Sequence, residues 1–233
     1  MSRKVALISG ASRGIGAATA QSLFNAGWAV SLGMRQPVMP GWAETDTDRV
    51  HLFPYDATDK NAADNWAKAA SGQFGQIDAL IASAGIMIPK TPIEISDAEM
   101  TEMLEINVHA PRRLAAACWE ALGASGRGRI ILLASLSGKR VKSAMAGSYS
   151  MSKFAVVALS HALRQAGFDQ GIRCTAVCPG FVATDMAASI SDRAPNTMTQ
   201  PEDLARVIHM LIDLPNEASV AEFAVNCQLE ERY

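Results

Sequence analysis

What this sequence lacks excludes several classes of protein. No apolar run in its 233 residues reaches the roughly 20 residues of a membrane-spanning helix. Its 21 Lys and Arg residues are balanced by 23 Asp and Glu residues, so no basic excess would attract nucleic acid or an anionic membrane. The basic start at Arg3 and Lys4 precedes only a short apolar stretch, which predicts a strand and not a signal peptide. We therefore expect no nucleic-acid partner and no membrane partner.

Cysteine is scarce, with only Cys118, Cys174, Cys178 and Cys227 in the chain. Cys174 and Cys178 would share one face of a strand, because side chains alternate along a strand. A zinc site needs further ligands, and no His lies near this pair in the sequence. We therefore predict no metal site and interpret the cysteines as core thiols in a reducing compartment, the cytoplasm.

The composition fits one globular domain over residues 1–233. Hydrophobic residues make up 49% of the chain and charged residues 19%, which is ordinary for a protein with a substantial core. Apolar segments typical of strands covered on both faces alternate with helical patterns, which predicts a doubly wound, Rossmann-type α/β domain with a seven-stranded parallel sheet. The predicted strands are 4–9, 28–33, 50–55, 77–83, 129–134, 171–178 and 220–226; the predicted helices are 17–25, 60–71, 97–121, 149–168 and 201–214, with a mobile segment at 186–199.

Three glycines, Gly10, Gly14 and Gly16, follow the first predicted strand and lead into a helix-forming segment. Strand, glycine-rich turn and helix form a layout for holding a phosphate. Glycine lets the backbone approach closely, and the helix N-terminus offers free N–H groups. The alternative is a tight turn that holds no ligand.

The end of the second predicted strand indicates which dinucleotide would bind. In dinucleotide-binding folds an acidic residue near this point binds the ribose hydroxyls. Here the sequence is Gly33-Met34-Arg35, without a carboxylate. Arg35 and Arg13 could instead pair with a 2′-phosphate, which favours NADP(H) over NAD(H). The alternative is two solvated arginines.

Two further strand ends carry candidate binding residues. Asp56 follows the third predicted strand, and Ala84 and Gly85 follow the fourth. Ligands bind at the carboxyl ends of parallel strands, and small residues there would let a cofactor lie against the backbone. Asp56 could equally cap the next helix, and Ala84-Gly85 could be a plain turn.

Asn107 lies within the long predicted helix, which opens with a capping-box pattern from Ser96 to Glu99. Asn is a mediocre helix former, and Pro111 leaves the Asn107 carbonyl without its usual donor four residues on. A buried Asn or an unpaired carbonyl is costly unless something uses it. We therefore interpret Asn107 as a candidate functional residue.

Tyr149 and Lys153 are four residues apart at the start of a predicted amphipathic helix, so they stand on one face. An ammonium beside a phenol favours the phenolate, and we expect it to lower the Tyr149 pKa from about 10. A tyrosine tuned in this way could exchange a proton near neutral pH. Taken alone, the pair could be two surface residues that happen to share a helix face.

Taken together and in order, these motifs resemble the short-chain dehydrogenase/reductase family over nearly the whole chain. Two departures are visible. The family's Asn-Asn-Ala-Gly is Ala82-Ser83-Ala84-Gly85 here, without the two amides that brace that strand. The family serine is either Ser135 or Ser137, and we favour Ser135 from its position relative to the strand. The matching positions are Gly10, Gly14, Gly16, Asp56, Ala84-Gly85, Asn107, the strand-end serine, Tyr149, Lys153 and Pro179-Gly180.

The resemblance implies an NADP(H)-dependent oxidoreductase that interconverts a carbonyl and an alcohol by hydride transfer. Tyr149 would be the acid/base, Lys153 would hold its pKa down and bind the nicotinamide ribose, and Ser135 would stabilise the substrate oxygen. Asn107 would link Lys153 to solvent through a water. The alternative is a non-catalytic NAD(P)-binding sensor or scaffold on the same fold. The implied cofactor-binding residues are Gly10, Ser12, Arg13, Gly14, Ile15, Gly16, Arg35, Asp56, Ala57, Ala84, Gly85, Tyr149, Lys153, Pro179, Gly180, Val182 and Thr184.

The substrate would be a small-molecule carbonyl compound or alcohol. The candidate pocket residues are largely apolar, which favours a hydrophobic compound. We interpret the basic run of Lys139, Arg140 and Lys142 as a solvated loop near the mouth of that pocket. The candidate pocket residues are Met87, Ile88, Ala144, Met145, Phe181 and the segment 186–199.

The resemblance also implies a homodimer or homotetramer. Members of the family often assemble by packing the Tyr-bearing helix against its copy. We place Val156, Val157 and Ser160 on the outer face of that helix, where they would permit such a contact.

Overall fold

The computed structural model describes residues 3–229, and its centre is a seven-stranded sheet whose neighbouring strands all pair in parallel. Five of the strands are buried along their whole length, as expected when helices cover both faces of a parallel sheet. The predicted doubly wound α/β fold is therefore confirmed. The strands are β1 (Val5–Ser9), β2 (Ala29–Met34), β3 (Val50–Pro54), β4 (Ala79–Ala82), β5 (Arg129–Leu133), β6 (Arg173–Pro179) and β7 (Glu222–Val225).

Helices connect the strands and form one layer on each face of the sheet. On one face α1 packs against α7, and on the other α2, α4 and α5 share a core with the sheet. The helices are α1 (Gly14–Asn25), α2 (Ala62–Phe74), α3 (Asp97–Leu104), α4 (Ala110–Ala124), α5 (Gly147–Gly167), α6 (Asp185–Ala188) and α7 (Pro201–Asp213).

The order of strands across the sheet is β3-β2-β1-β4-β5-β6-β7. The chain moves outward from β1 to β3, returns to the other side of β1 at β4, and then moves outward to β7. The segments that follow β1 and β4 therefore leave in opposite directions and open a crevice between them. In open α/β sheets, ligands bind at such a switch point.

The predicted helix 97–121 is interrupted in the structure. Its start is as predicted, since the Ser96 and Glu99 side chains each bond to the backbone N–H of the other residue. Beyond α3, however, Glu105–His109 forms a π-helical turn before α4 begins. Pro111 has no N–H and cannot continue the ordinary ladder, so the wider turn accommodates it. Asn107 lies in this turn.

The segment 186–199, predicted to be mobile, is tied to the strand-end region that precedes it. Thr199 N donates to Phe181 O at 3.2 Å, and Ala183 N donates to Thr199 O at 2.9 Å. These bonds form a short parallel bridge between Val182 and Thr199. The end of this segment is therefore held beside the end of β6.

The buried thiols agree in part with the sequence-based expectation. Cys118, Cys174 and Cys178 are buried free thiols, but Cys227 is partly exposed because it follows the edge strand β7. Within residues 3–229, no group of three or more His, Cys, Asp or Glu side chains could hold a metal ion. In the same range, no helix has the length and apolar character needed to cross a membrane.

Candidate active site

A cavity of about 530 Å³ opens at the carboxyl ends of the central strands. The segments that follow β4, β5 and β6 line it, together with the start of α5 and the residues after β7. The chain passes through this region several times, so residues distant in sequence meet there. Predicted site residues in the lining are Ile15, Gly85, Ser135, Tyr149, Lys153, Pro179, Gly180, Val182 and Thr184; those outside it are Gly10, Ser12, Arg13, Gly14, Gly16, Arg35, Asp56, Ala57, Ala84 and Asn107.

The glycine-rich turn after β1 leaves no room for side chains at two of its positions. A Cβ on Gly16 would lie 2.2 Å from the Gly10 carbonyl oxygen, and a Cβ on Gly10 would lie 2.8 Å from the Ala84 nitrogen. Gly10 and Gly14 also have positive φ angles, +67° and +57°, which glycine adopts without strain. The backbone of the turn therefore packs closely on itself and on the segment after β4, as only glycine allows.

The first turn of α1 has the features of a phosphate site. The twelve-residue helix has no acidic residue in its first turn, and Arg13 at its N-cap forms no side-chain capping bond. The helix itself therefore contributes no carboxylate that would compete with an anion for its N–H groups and the positive end of its dipole. These features fit the pyrophosphate of a dinucleotide.

Ser9 braces the end of β4, a role that the sequence did not reveal. Its buried hydroxyl accepts hydrogen bonds from Ser83 N at 3.1 Å and Ala84 N at 3.3 Å. The two amides that the resemblance led us to expect on β4 are absent, and Ser9 supplies an acceptor for this backbone from the neighbouring strand instead. A polar residue as the last position of an otherwise apolar β1 was the only available sign.

Tyr149 and Ser135 meet inside the cavity. Tyr149, at the start of α5, is only 8% exposed, and the Ser135 side chain is close enough to act on the pKa of its phenol. The Ser135 hydroxyl accepts a hydrogen bond from Ser137 N at 3.0 Å and donates one to Pro179 O at 3.4 Å, which orient it. Of the two serines left open by the sequence, Ser135 is the one whose side chain affects the Tyr149 pKa.

Lys153 lies one turn further along α5, as the spacing predicted, and is 5% exposed. Its ammonium donates to Leu133 O at 2.7 Å and lies 5.6 Å from the centre of the Tyr149 ring. Burial lowers the pKa of Lys153 to about 8. The lysine is thus anchored to the end of β5 and not to the phenol.

The expectation of a lowered Tyr149 pKa is wrong for this structure. Burial raises the pKa of Tyr149 to about 12, and the nearby Ser135 hydroxyl opposes this only in part. Removing the phenolate from water costs more than one neighbouring hydroxyl returns, and the Lys153 ammonium is directed to a backbone carbonyl. Tyr149 therefore carries a proton at neutral pH.

Asn107 connects the π-helical turn to the loop after β4 and to α5. Its side-chain oxygen accepts from Ile86 N at 2.9 Å, and its amide donates to Ile86 O at 2.9 Å and to Ser152 Oγ at 3.0 Å. A Cβ on Gly85 would lie 3.2 Å from the Asn107 oxygen and 3.7 Å from Lys153 Nζ, so both side chains flank this glycine. The buried Asn is fully used as a positioning group.

The outer end of the crevice carries the two arginines predicted near the adenosine. Arg35 is exposed after β2, close enough to Asp56 for its charge to contribute to a lowered Asp56 pKa. The main causes of that lowering are hydrogen bonds from the Thr58 backbone and hydroxyl, so Asp56 forms a local turn and does not cap α2. Arg13 forms an exposed ion pair with Asp185, 2.7 Å away, and is not simply solvated.

The segment after β6 closes the other side of the cavity. A Cβ on Gly180 would lie 2.2 Å from the Asn226 side-chain oxygen, so only glycine fits where the segments after β6 and β7 meet. Thr184 caps α6 by accepting a bond from Ala187 N, and Val182 is buried beneath it. The backbone of this segment therefore lies along the cavity wall.

The predicted substrate pocket is correct in part. Met87, Met145 and Phe181 line the cavity, whereas Ile88 and Ala144 do not. From the segment 186–199, the lining residues are Met186, Ala187 and Ile190. 

The basic run after β5 is not simply solvated. Lys139 turns away from the cavity and pairs with Glu222 at the start of β7, which also bonds to His161 at 2.6 Å. Arg140 and Lys142 instead line the cavity. One loop therefore presents its cations in two directions.

The prediction of which side of α5 faces outward is wrong, because a different side of the helix is exposed. Val156 and Ser160 are each only 1% exposed because they face the sheet. The exposed face carries Met151 and Phe154, which are 55% and 44% exposed. An apolar outward-facing surface is present, but on a different set of residues.

Comparison with known proteins gives a family match over most of the chain. A family profile described as short chain dehydrogenase matches residues 4–195. The chain is 36% identical over 228 residues to an agropine synthesis reductase of Rhizobium rhizogenes, covering 97% of this chain and 53% of that protein. It is 31% identical over 221 residues to a cis-4-hydroxycyclohexanecarboxylate dehydrogenase of Sinomonas cyclohexanicum, covering 89% and 88% of the two chains. The chain spans about half the length of the agropine reductases it matches.

A solved structure with the same architecture contains a bound dinucleotide analogue. It is an alcohol dehydrogenase from the archaeon Thermococcus sibiricus complexed with 5-hydroxy-NADP. The two chains superpose with a TM-score of 0.82 at 26% sequence identity, covering 96% of each. 

Proposed function

This chain belongs to the short-chain dehydrogenase family, and from that premise we propose that it is an NADP(H)-dependent oxidoreductase acting on a carbonyl compound in the direction of reduction. The names of its relatives are those of reductases and dehydrogenases, which supports carbonyl and alcohol redox chemistry. The preference for NADP(H), the direction and the roles of individual residues are our inferences. 

One observation carries the proposal. A buried phenol, a serine hydroxyl and a buried ammonium line the same cavity, beside a turn built to approach a phosphate. Ser135 follows β5, whereas Tyr149 and Lys153 share α5, and these polar groups would be costly to bury together without a use. A scaffold or sensor protein would not require this set.

Several residues of this chain would hold the cofactor. The turn from Gly10 to Gly16 and the N-terminus of α1 would bind the pyrophosphate, and Arg35 with Arg13 would bind a 2′-phosphate. Arg13 would then exchange its exposed ion pair with Asp185 for a phosphate, at little cost because exposed pairs contribute only about 0–1 kcal/mol. Asp56 and Ala57 would flank the adenine, and Val182 and Thr184 would contact the carboxamide.

When bound, the nicotinamide group supplies the hydride that the carbonyl carbon receives. Tyr149 gives its proton to the carbonyl oxygen, and its raised pKa means that it starts in the protonated form that reduction requires. Ser135 donates a hydrogen bond to the same oxygen and stabilises its developing charge. The Lys153 ammonium offsets the phenolate that remains, and Asn107 holds the loop beside Lys153 so that the proton can be replaced from solvent.

Steady-state turnover on a panel of ketones and aldehydes tests the activity. We expect turnover with NADPH and, for Tyr149→Phe, a loss of about a hundredfold to ten-thousandfold in kcat, the range for a positioned acid. Cofactor affinity, measured by quenching of tryptophan fluorescence, should stay nearly unchanged in this variant. Tight cofactor binding without turnover of any substrate in either direction would instead support a sensor or scaffold.

Arg35→Glu tests the cofactor preference separately. Reversing this charge should lower the preference for NADPH over NADH by roughly tenfold or more, since one charge-assisted bond to phosphate is lost and repulsion is added. Arg112→Glu, on the exposed surface of α4, is a matched control for the change of charge. A wild-type enzyme that clearly prefers NADH would contradict the role of Arg35.

The remaining expectations concern assembly and compartment. We propose a homodimer or homotetramer that covers the exposed Met151 and Phe154 on α5, and a cytoplasmic location consistent with the buried thiols. Size-exclusion chromatography with light scattering on wild type and Phe154→Glu would test the assembly.

A further inference from the structure

We propose that the substrate carries an anionic group, a carboxylate or a phosphate, at the end remote from its reacting carbonyl, and that Lys142 binds that group. This inference rests on the proposed function and goes further by naming the substrate class. It derives from the charges around the cavity, which the reaction at Tyr149 does not itself require.

The charge of the described cavity lining is one-sided. Arg140, Lys142 and Lys153 contribute cations, and none of the described residues that line the cavity is Asp or Glu. Lys153 is accounted for at the buried end, where its ammonium bonds to Leu133. The other two cations lie on the loop between β5 and α5, where the reaction has no need of them.

Two acidic side chains near the cavity already have cationic partners. Glu222 beneath the loop is bonded to Lys139 and His161. Asp185, at the start of α6, is paired with Arg13. Lys142 itself has only a 3.3 Å hydrogen bond to the neutral side chain of Gln228 among the contacts described. Its ammonium is therefore not neutralised by those acids and can attract an anion.

Lys142 lies on the substrate side of the cavity and not beside the phosphate-binding turn. It bonds to Gln228, which follows β7 at one edge of the sheet, whereas Arg35 follows β2 near the other edge. Cofactor phosphates at the glycine-rich turn after β1 would be several strands away. The charge of Lys142 is thus available to a different ligand.

Between the two ends, the lining is apolar. Besides Tyr149, Ser135 and the cations, the lining includes the apolar side chains of Met87, Met145, Phe181, Met186 and Ile190. A ligand whose groups match the whole cavity has a carbonyl at one end, a hydrocarbon chain in the middle and an anionic group at the other end. In its reduction the carbonyl carbon gains a hydride from the reduced cofactor and the oxygen gains the Tyr149 proton, so the anionic group takes no part in bond making.

Because the anion is remote from the reacting carbon, its contribution is mainly to binding. It should therefore appear in KM and leave kcat largely unchanged. Charge attraction at an exposed loop is also screened by salt. These two properties distinguish a binding role of Lys142 from a purely structural one.

The test compares methyl-ketone carboxylic acids of five to nine carbons with their methyl esters and with oxoalkyl phosphates of the same lengths. At the best-fitting length, we expect the wild-type enzyme to prefer one of the anions over the ester by roughly tenfold in kcat/KM, the size of one charge-assisted hydrogen bond. Lys142→Gln should remove this preference through KM, and added salt should reduce it in the wild type. The better anion identifies the group.

Lys139→Gln is the matched control because it removes a charge from the same loop outside the cavity. It should leave the ratio of anion to ester unchanged, and the dissociation constant for NADPH should be unchanged in Lys142→Gln. Equal turnover of ester and both anions in the wild type would overturn the inference while the proposed function stands. Turnover of simple ketones but of neither anion would also overturn the inference while the proposed function stands. If no carbonyl compound is turned over, the proposed function is rejected and this inference with it.

Discussion

Replacing Lys153 by Met tests whether folding removes a charged amine from water at the candidate active site. Burial lowers the pKa of Lys153 from 10.5 to about 8, and a difference of this size corresponds to about 3 kcal/mol. Between these pH values the unfolded chain holds a proton that the folded chain has released. The free energy of unfolding therefore rises with pH across this window, and the penalty for burying the ammonium is fully present below it.

The variant separates this penalty from the loss of a hydrogen bond. Lys153→Met keeps an apolar stem but leaves the Leu133 carbonyl, whose donor was 2.7 Å away, without that partner. This loss costs about 1–3 kcal/mol at every pH. The cost of burying the ammonium, in contrast, is absent from the variant at every pH. In the wild type it is present in full at neutral pH and becomes small at alkaline pH. The difference between the two proteins should therefore change with pH.

Urea unfolding, followed by tryptophan fluorescence between about pH 7 and about pH 9.5, measures this change before the tyrosines titrate. The stability of Lys153→Met relative to wild type should fall by roughly 2 kcal/mol over that range. Lys68→Met, on the exposed side of α2, is the matched control because its ammonium stays in water on folding. A constant difference across the range would refute the conclusion that Lys153 is desolvated.

Two further substitutions test the site geometry. Ser135→Ala should lower kcat by about a hundredfold, the cost of removing one donor to a developing oxyanion. Ser137→Ala should change kcat by less than about threefold. The reverse ranking would mean that the wrong serine was assigned. Gly16→Ala would place a Cβ 2.2 Å from the Gly10 carbonyl, so NADPH affinity measured by calorimetry should fall by about tenfold or more. Gly72→Ala in α2, where an added Cβ meets nothing within 4 Å, is the control. It should leave NADPH affinity unchanged and stabilise the fold by about 0.5–1 kcal/mol. Equal losses of NADPH affinity in both variants would contradict the steric argument.

The features predicted correctly from sequence are those that short stretches of chain specify. Apolar runs predicted the parallel strands, and the glycine spacing predicted the turn between β1 and α1, where the close approach of Gly16 to Gly10 requires it. The spacing of Tyr149 and Lys153 placed both on one helix face. Pro111 indicated an irregularity near Asn107, which proved to be a π-helical turn. Each of these follows from side-chain periodicity or from backbone geometry within a few residues.

Other features required the folded chain because they depend on which distant groups meet. Ser9 supports the end of β4 from a neighbouring strand, and nothing within β4 indicates this. The basic loop after β5 divides because Glu222, far along the chain, attracts Lys139 while Lys142 faces the cavity.

The sequence by itself determined the fold class, the glycine-rich turn after β1 and the placement of Tyr149 and Lys153 on one helix face, because local patterns of polarity and glycine constrain the backbone directly. Only the tertiary structure decided how those residues are tuned. Whether Tyr149 holds its proton depends on how much water is removed around it and on Lys153 bonding to Leu133. Solvent exclusion and the distances between charges are properties of the packed molecule, and no spacing along the chain contains them.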